Sequence, residues 1–503
     1  MRAGASLAVR AVFAIALMVG FYVLAIAVAA ALVLLGWGIL ALLPSVRIGK
    51  AMLLMLLAAG ACVVAAGIVL WSVLPRIDRF KPPGPEIKAG DHPRLFAEIR
   101  AVVAATGQRM PDHVYLVSDV NAFVTQRGGI MGIGSRRVMG IGLPLLRTLQ
   151  VDELRAVLAH EMGHFYAGDT RLGPWIYKTR GGLIRTVVNL ARATQSIEHW
   201  IAWVFVVVQA PFRWFLTGFM RVSQAISRAQ EFSADALAVR TEGARAMIGG
   251  LKKVHAADIA HSIYMRSEVL PLVMRGALPA VGEGFTRFLA NERFTKLLDE
   301  ATADELASGT ADPFDSHPSL RERVAAATAI GGPHRAPDAR PAIDLVENAA
   351  RIECDELAGR VERKLEPVSW DDIGRLWIAT WRDDVAEARS LLTEIRLDAV
   401  PIDPREVYRL AVRLLGTREA DAADEAGLGR WWSGTVGAAV SLMLLDAGYT
   451  LVAQIGDPFR FSRDGATIEP FVELQQLLGR ELSLDDWRAR WRERGFADSK
   501  LAA

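Results

Sequence analysis

The chain has 503 residues, 52% of them apolar, with 58 basic side chains against 56 acidic ones and only two cysteines. At roughly 150 residues per folded unit this length calls for about three units, and a mean hydropathy of +0.23 is high for a chain lying wholly in water. The formal net charge of +2 argues against a nucleic-acid partner, and Cys62 and Cys354 read as inert packing thiols rather than a disulfide framework.

Residues 11–43 and 51–74 contain no charged side chain. About 20 apolar residues cover the hydrocarbon of a bilayer, so each run is long enough to cross. The first is also too long for a signal-peptide core. A helical hairpin over residues 1–80 is expected, and it returns the chain to the side from which it began. Arg2 and Arg10 precede it, Arg76, Arg79 and Lys81 follow it, and only Arg47 and Lys50 lie in the loop 45–50. This bias places both ends, and the bulk of the chain, in the cytoplasm.

"PRIDRFKPPGPEIKAGDHP", residues 75–93, is a Pro- and Gly-rich exit from the membrane. A helix is expected from Asp91 to about Thr106 and a strand over 113–119. "GGIMGIGSRRVMGIGLPLL" reads as a Gly-punctuated hairpin. The helix that follows, Val151 to Gly168, has Asp152 and Glu153 in its first turn, where acidic groups complement the helix dipole.

That helix carries "HEMGH", residues 160–164. With nine histidines in the chain and Glu at about 6% of residues, such a pattern arises by chance about once in a hundred chains of this kind. Positions i and i+4 share a helix face, so His160 and His164 can present imidazole nitrogens to one ion, with Glu161 beside it. Two histidines leave Zn²⁺ short of a third protein ligand and an open position. The pattern HExxHxxGxxH would need Gly at 167 and His at 170, but the chain has Ala167 and Thr170, which excludes that class. "SRAQEFSADALA", residues 227–238, offers Glu231 as a ligand. Asp235, one turn later, is placed to orient a ligating histidine.

"NAFV" at 121–124, "GLPLLRTLQVDELRAVLAHEMGH" at 142–164, "SRAQEFSADALA" at 227–238 and "SHPSLRERV" at 316–324 occur in this order. Together they resemble the HtpX-type and CAAX prenyl protease-type membrane zinc metallopeptidases, over roughly residues 90–330. The resemblance implies a gluzincin with one Zn²⁺ per chain held by His160, His164 and Glu231, and with Glu161 as general base. Asp235 would orient a ligand histidine, most plausibly His160, and His317 and Arg323 would contact substrate or the oxyanion. Protein or peptide substrates are implied, bound as an added strand near Val138 to Gly142, with a role in clearing damaged membrane proteins.

Between the two metal motifs lie 66 residues. Both ends of this insert must meet at one metal, so it crosses the bilayer an even number of times. Gln209, Pro211 and Arg213 interrupt its apolar stretch Trp200–Met220, so the expectation is no crossing. Its aromatic residues, with Arg185, Arg192 and Arg221 nearby, suggest an amphipathic hairpin at the membrane interface over 165–226. A hairpin packed on the catalytic core is the alternative, and the family resemblance would instead imply two more spans.

The resemblance stops after "GGPHRAPDARPA", residues 331–342. Residues 345–503 hold 7 of the 13 tryptophans, read as core. Helical patterns run over 345–364 and 383–415, the apolar run Trp431–Leu445 is too short to span, and Asp464-Gly465 marks a hairpin turn. The expected fold class is therefore α+β. It comprises an N-terminal transmembrane helical hairpin over 1–80 and a mainly helical zincin-type metallopeptidase domain with a small β-sheet over 81–330. A small α+β domain of open role over 345–503 completes it. The expected function is a membrane-anchored zinc endopeptidase with the bilayer as its other partner. The alternative is a scaffold with a closed cleft, which would have no use for the intact Glu161.

Overall fold

The computed structural model describes residues 2–74, 80–129, 134–165, 173–195, 199–309, 318–417, 420, 424–496 and 498–502. The chain divides into two compact units, Met1–Ile259 with Leu298–Ala349 and Ala260–Leu297 with Ala350–Ala503. The sequence had assigned residues 260–297 to the metallopeptidase domain. They fold instead with the C-terminal unit, because a strand within them finds its partner about 90 residues further on.

In the first unit, α1 (Arg2–Ala41) and α2 (Lys50–Val73) form the expected apolar hairpin. β1 (Glu86–Ile87), α3 (Pro93–Thr106), β2 (His113–Val117), β3 (Ala122–Arg127) and β4 (Arg136–Gly142) follow. Next come α4 (Leu143–Thr148), α5 (Val151–Gly163), α6 (Gly173–Gln195), α7 (His199–Glu242) and α8 (Ala244–Tyr264). The chain continues through α9 (Leu270–Met274), β5 (Ala277–Pro279), α10 (Val281–Leu289), α11 (Glu292–Ser308) and α12 (Leu320–Ile330).

The four-stranded sheet has the order β1-β2-β4-β3. β4 runs parallel to β2 and antiparallel to β3. The strand expected to receive substrate, near Val138 to Gly142, is therefore interior to the sheet and hydrogen-bonded on both sides. The outer strand is β3. Leu116, Met139 and Ile141 of this sheet are fully buried, as are Leu95 and Ile99 of α3 and Leu154 and Met162 of α5. The alternation of strand residues and the helical spacing of α3 and α5 thus supply one apolar interior.

The insert forms the helical pair α6 and α7, and one apolar face of this pair packs on the N-terminal hairpin. Leu183 and Leu190 of α6 and Phe205, Phe212 and Phe219 of α7 share a core with Phe21, Ala25, Ala65 and Val69 of α1 and α2. Polar groups within this bundle find partners there. Asn189 Nδ2 donates to Ser72 Oγ at 3.0 Å, and Gln209 Nε2 donates to the Val187 carbonyl at 2.8 Å. The opposite face is apolar and outward, with Trp203 61% and Trp214 80% exposed. Among the described residues, three helical stretches are long and apolar enough to cross a bilayer: Ile15–Ser45, Lys50–Val73 and Ala202–Glu242.

The segment 331–342, expected only to mark the end of the domain, is a strap across the first unit. Val151 N–H donates to the Arg340 carbonyl and Ala342 N–H to the Leu149 carbonyl. Arg155 binds both Glu98 and Asp338. These bonds hold the N-terminus of α5, where Glu153 Oε2 also accepts from the Gln150 N–H at 2.8 Å.

The second unit is α+β, as expected. Parallel pairing of β5 with β6 (Glu366–Val368) ties residues 277–279 to it. Around them lie α13 (Ala349–Ala358), α14 (Ile373–Glu387), α15 (Arg389–Leu392), α16 (Pro404–Leu415) and α17 (Glu425–Asp446). β7 (Thr450–Val452), β8 (Arg460–Arg463) and β9 (Ala466–Ile468) form an antiparallel meander, followed by α18 (Pro470–Leu478) and α19 (Leu484–Glu493). Asp464 and Gly465 join β8 to β9 with φ of 50° and 82°. This left-handed pair suits the twist of a two-residue hairpin. Trp381, Trp432, Trp487 and Trp491 are buried in the core of this unit, the role read for the tryptophans. Trp431–Leu445 lies inside α17, whose Val436, Val440 and Leu444 are in the same core.

Candidate metal centre

The centre is built where α5 crosses α7. Gly163 makes the close crossing possible, since a Cβ placed on it would lie 2.7 Å from Ala234 Cα and 2.9 Å from Ala234 Cβ. α5 ends at Gly163 with His164 as its C-cap; residues 166–168 of the helix expected from the sequence lie outside the described residues. His164 stands above His160, with the two rings 4.9 Å apart and nearly perpendicular.

His160, Glu161 and His164 each offer a ligand atom, and these atoms lie within 4.8 Å of one another. From α7, Glu231 faces both histidines. Its Oε2 is 3.5 Å from His160 Nε2 and its Oε1 is 3.7 Å from His164 Nε2. Two ligands at about 2.05 Å from a tetrahedral zinc stand roughly 3.3 Å apart. The three side chains are thus spaced to hold one such ion.

Asp235, one turn beyond Glu231 and 1% exposed, sits behind this set. Its Oδ1 is 2.8 Å from His160 Nδ1. Bonding there fixes the tautomer that turns the Nε2 lone pair toward the ion. Arg323 reaches Asp235 from α12, with Nε 2.9 Å from Oδ2 and Nη2 2.6 Å from Oδ1. Burial would lower the Arg323 pKa, but hydrogen bonds and charge from Asp235 outweigh it and hold the guanidinium above its ordinary value. Sequence places Arg323 at substrate or the oxyanion; in the structure its Nε and Nη2 bind Asp235, and Nη2 also lies 3.6 Å from Glu231 Oε2, as a carboxylate this deep needs a cation matched to both oxygens. Ser319 caps α12 by accepting from the Glu322 N–H, which sets the helix that carries Arg323. His317 lies outside the described residues.

Glu161 stands beside the two histidines, its carboxylate within 4.8 Å of their ligand atoms, and also accepts from the backbone N–H of Val124 in the sheet. Burial raises its carboxyl pKa to about 7, opposed by His160 and Arg323, reinforced by Glu231, and moderated by the backbone N–H of Val124. Val124 belongs to β3, so the outer strand borders the catalytic face of α5. Only "NAFV" hints at this contact in the sequence, and nothing there hints at the bidentate clamp from Arg323. Both join segments far apart in the chain. Gly163 was visible as a residue, but its role needs the helix crossing.

Residues 90–330 match the model of peptidase family M48. The chain is similar to a protease HtpX of Pseudomonas fluorescens, 26% identical over 46% of this chain and 70% of that protein. It is also similar to protease HtpX homologues of Paraburkholderia phytofirmans (29% identical, over 34% of this chain and 59% of that protein) and of Tropheryma whipplei (31% identical, over 34% and 58%). The match thus spans less than two thirds of the length of these last two relatives. No solved structure matches the chain.

Proposed function

We propose that this chain, whose residues 90–330 match the model of peptidase family M48, is a membrane-anchored zinc endopeptidase that hydrolyses peptide bonds. The observation that carries the reading is the approach of both His160 Nε2 and His164 Nε2 to the two oxygens of Glu231, at 3.5 and 3.7 Å. His160, His164 and Glu231 would hold zinc. When bound, zinc supplies a Lewis acid that polarises a carbonyl and brings a coordinated water to a pKa of about 7.

The chain's own residues do the rest. Glu161 would accept the proton of the attacking water and deliver it to the leaving amine, from a carboxylate beside both histidines. The Val124 N–H fixes the orientation of that carboxyl. Asp235 holds His160 through Nδ1, and Arg323 holds Asp235. Substrate backbone pairs with the outer strand β3, a mode that reads the main chain more than side chains. His317 is left as the candidate contact to the oxyanion. A catalytically restrained scaffold is the weaker reading, since it gives no reason for a buried carboxyl beside a complete ligand set.

The anchor is the α1–α2 hairpin, with both ends on the cytoplasmic side. The shared core of α1, α2, α6 and α7 supports placing the insert against the bilayer as well. The purified full chain in detergent should cleave casein, lose cleavage with a chelator and regain it with zinc, while Glu161→Gln retains zinc and cleaves nothing. Equal cleavage by the chelated chain, or by the Gln variant, would overturn the proposal.

A further inference from the structure

The second unit contains a cavity of about 300 Å³, a size at the lower end of small-ligand sites. It contains none of the candidate metal ligands. Trp370, Trp377, Phe459 and Phe471 line it, together with two acidic residues, Glu268 and Asp457, and no Lys, Arg or His lines it. Each acid has a different status. Asp457 is already committed, accepting from Asn291 Nδ2 at 3.0 Å and pairing with Arg460. Glu268 accepts from the Ser267 hydroxyl at 3.3 Å and from the backbone N–H of Gly456, with Asp457 as its charged neighbour.

Burial, with Asp457 adding to it, pushes the Glu268 carboxyl up against the opposing pull of those two hydrogen bonds. A carboxylate in this setting is stabilised by a cation. Glu268 also sits on the π-helical turn Met265–Val269, a local expansion of the helix that is disfavoured unless something is gained from it. The aromatic walls add a second preference, because ring faces attract cations and indole does so best. Arg275 already uses Trp377 in this way, with its guanidinium carbon 4.7 Å from the ring centroid while it pairs with Asp384.

We propose that this cavity binds one basic side chain of a polypeptide, with Glu268 as counter-ion and the Trp370 and Trp377 rings as walls. A guanidinium fits best, since its flat, weakly hydrated face stacks on indole while its edge donates to a carboxylate. The site is separate from the peptidase chemistry, and the inference does not rest on that reading. It gives the C-terminal unit a recognition role for basic segments.

The test uses the full chain in detergent, carrying Glu161→Gln so that no probe is hydrolysed. Binding of N-acetyl-arginine amide, N-acetyl-norleucine amide and agmatine is followed by ligand-observed NMR and calorimetry. The capped arginine should bind saturably, the norleucine analogue should not bind, and Glu268→Gln should weaken the arginine by tenfold or more, as loss of a charge-assisted bond requires. Trp377→Leu, checked by an unchanged melting transition, should weaken it as well. Equal binding of norleucine and arginine, or an unchanged affinity in Glu268→Gln, would overturn the proposal. Binding of agmatine without the capped amino acid would do so too, since the site would then take a free amine.

Discussion

Replacing Arg323 with Met separates the role given by the structure from the one suggested by sequence. The guanidinium is 14% exposed and the Asp235 carboxylate 1%. Removing one partner of a buried ion pair costs about 3 to 5 kcal/mol, because the other charge is left behind. The His160 imidazole remains within 2.8 Å of Asp235, so the lower end, about 3 kcal/mol, is expected. The orphaned carboxylate loses the guanidinium that fixes its position, so it orients the His160 ring less well. Zinc affinity should therefore fall by about 10 to 100-fold. Competition with a fluorescent chelator measures the affinity, and denaturation of the metal-free chain measures the stability. Arg323→Lys should recover only part of both, since an ammonium cannot donate to both oxygens in one plane. Asp235→Asn combined with Arg323→Met should be less destabilised than the sum of the single changes. A variant with wild-type stability and zinc affinity but a lowered kcat would refute this account and return Arg323 to the substrate.

Glu231→Ala should lose zinc and activity together, whereas Asp235→Ala should keep the site and weaken affinity or rate by about 10 to 100-fold; equilibrium dialysis with casein cleavage distinguishes the two. Gly163→Val should push α5 from Ala234 and part His164 from Glu231, lowering zinc occupancy while leaving the second unit intact, which chelator titration and limited proteolysis would report. Single cysteines at Ser45 and Ser499, in a background lacking Cys62 and Cys354, should label from outside the cell and only after permeabilisation respectively; external labelling at 499 would invert the proposed orientation.

The parts of the site legible in sequence are those that a helix repeat encodes. His160 and His164, or Glu231 and Asp235, are one turn apart, and that spacing alone puts each pair on a face. The Asp464-Gly465 turn was equally plain, because only left-handed φ values at both residues close that hairpin. Contacts between distant segments left little or no trace. Arg323 reaches Asp235 across 88 positions, β5 pairs with β6 across a similar gap, and no local pattern announces either. The identity of the outer strand needed the sheet order, since β3 carries Thr125, Gln126 and Arg127 and precedes the Gly-punctuated run read as the hairpin. The insert reads as not crossing because Gln209, Pro211 and Arg213 interrupt its apolar stretch, with Arg185 among the basic residues flanking it. In the bundle Gln209 donates to the Val187 carbonyl and Arg185 Nη2 to the Ser72 carbonyl, so neither prevents the helices from packing on α1 and α2.

α7 is a single helix of 44 residues, and it carries Phe219 in the bundle core as well as Glu231 at the metal centre. Twelve positions separate them, or ~18 Å along the axis at 1.5 Å per residue. One stiff rod therefore joins the apolar bundle to the candidate metal centre and sets the distance between them. On the proposed peptidase reading, that distance marks how far from the bilayer a membrane-anchored substrate would be cut. Adding four residues between Phe219 and Glu231 would move the mark outward by ~6 Å and turn the ligand by only ~40°.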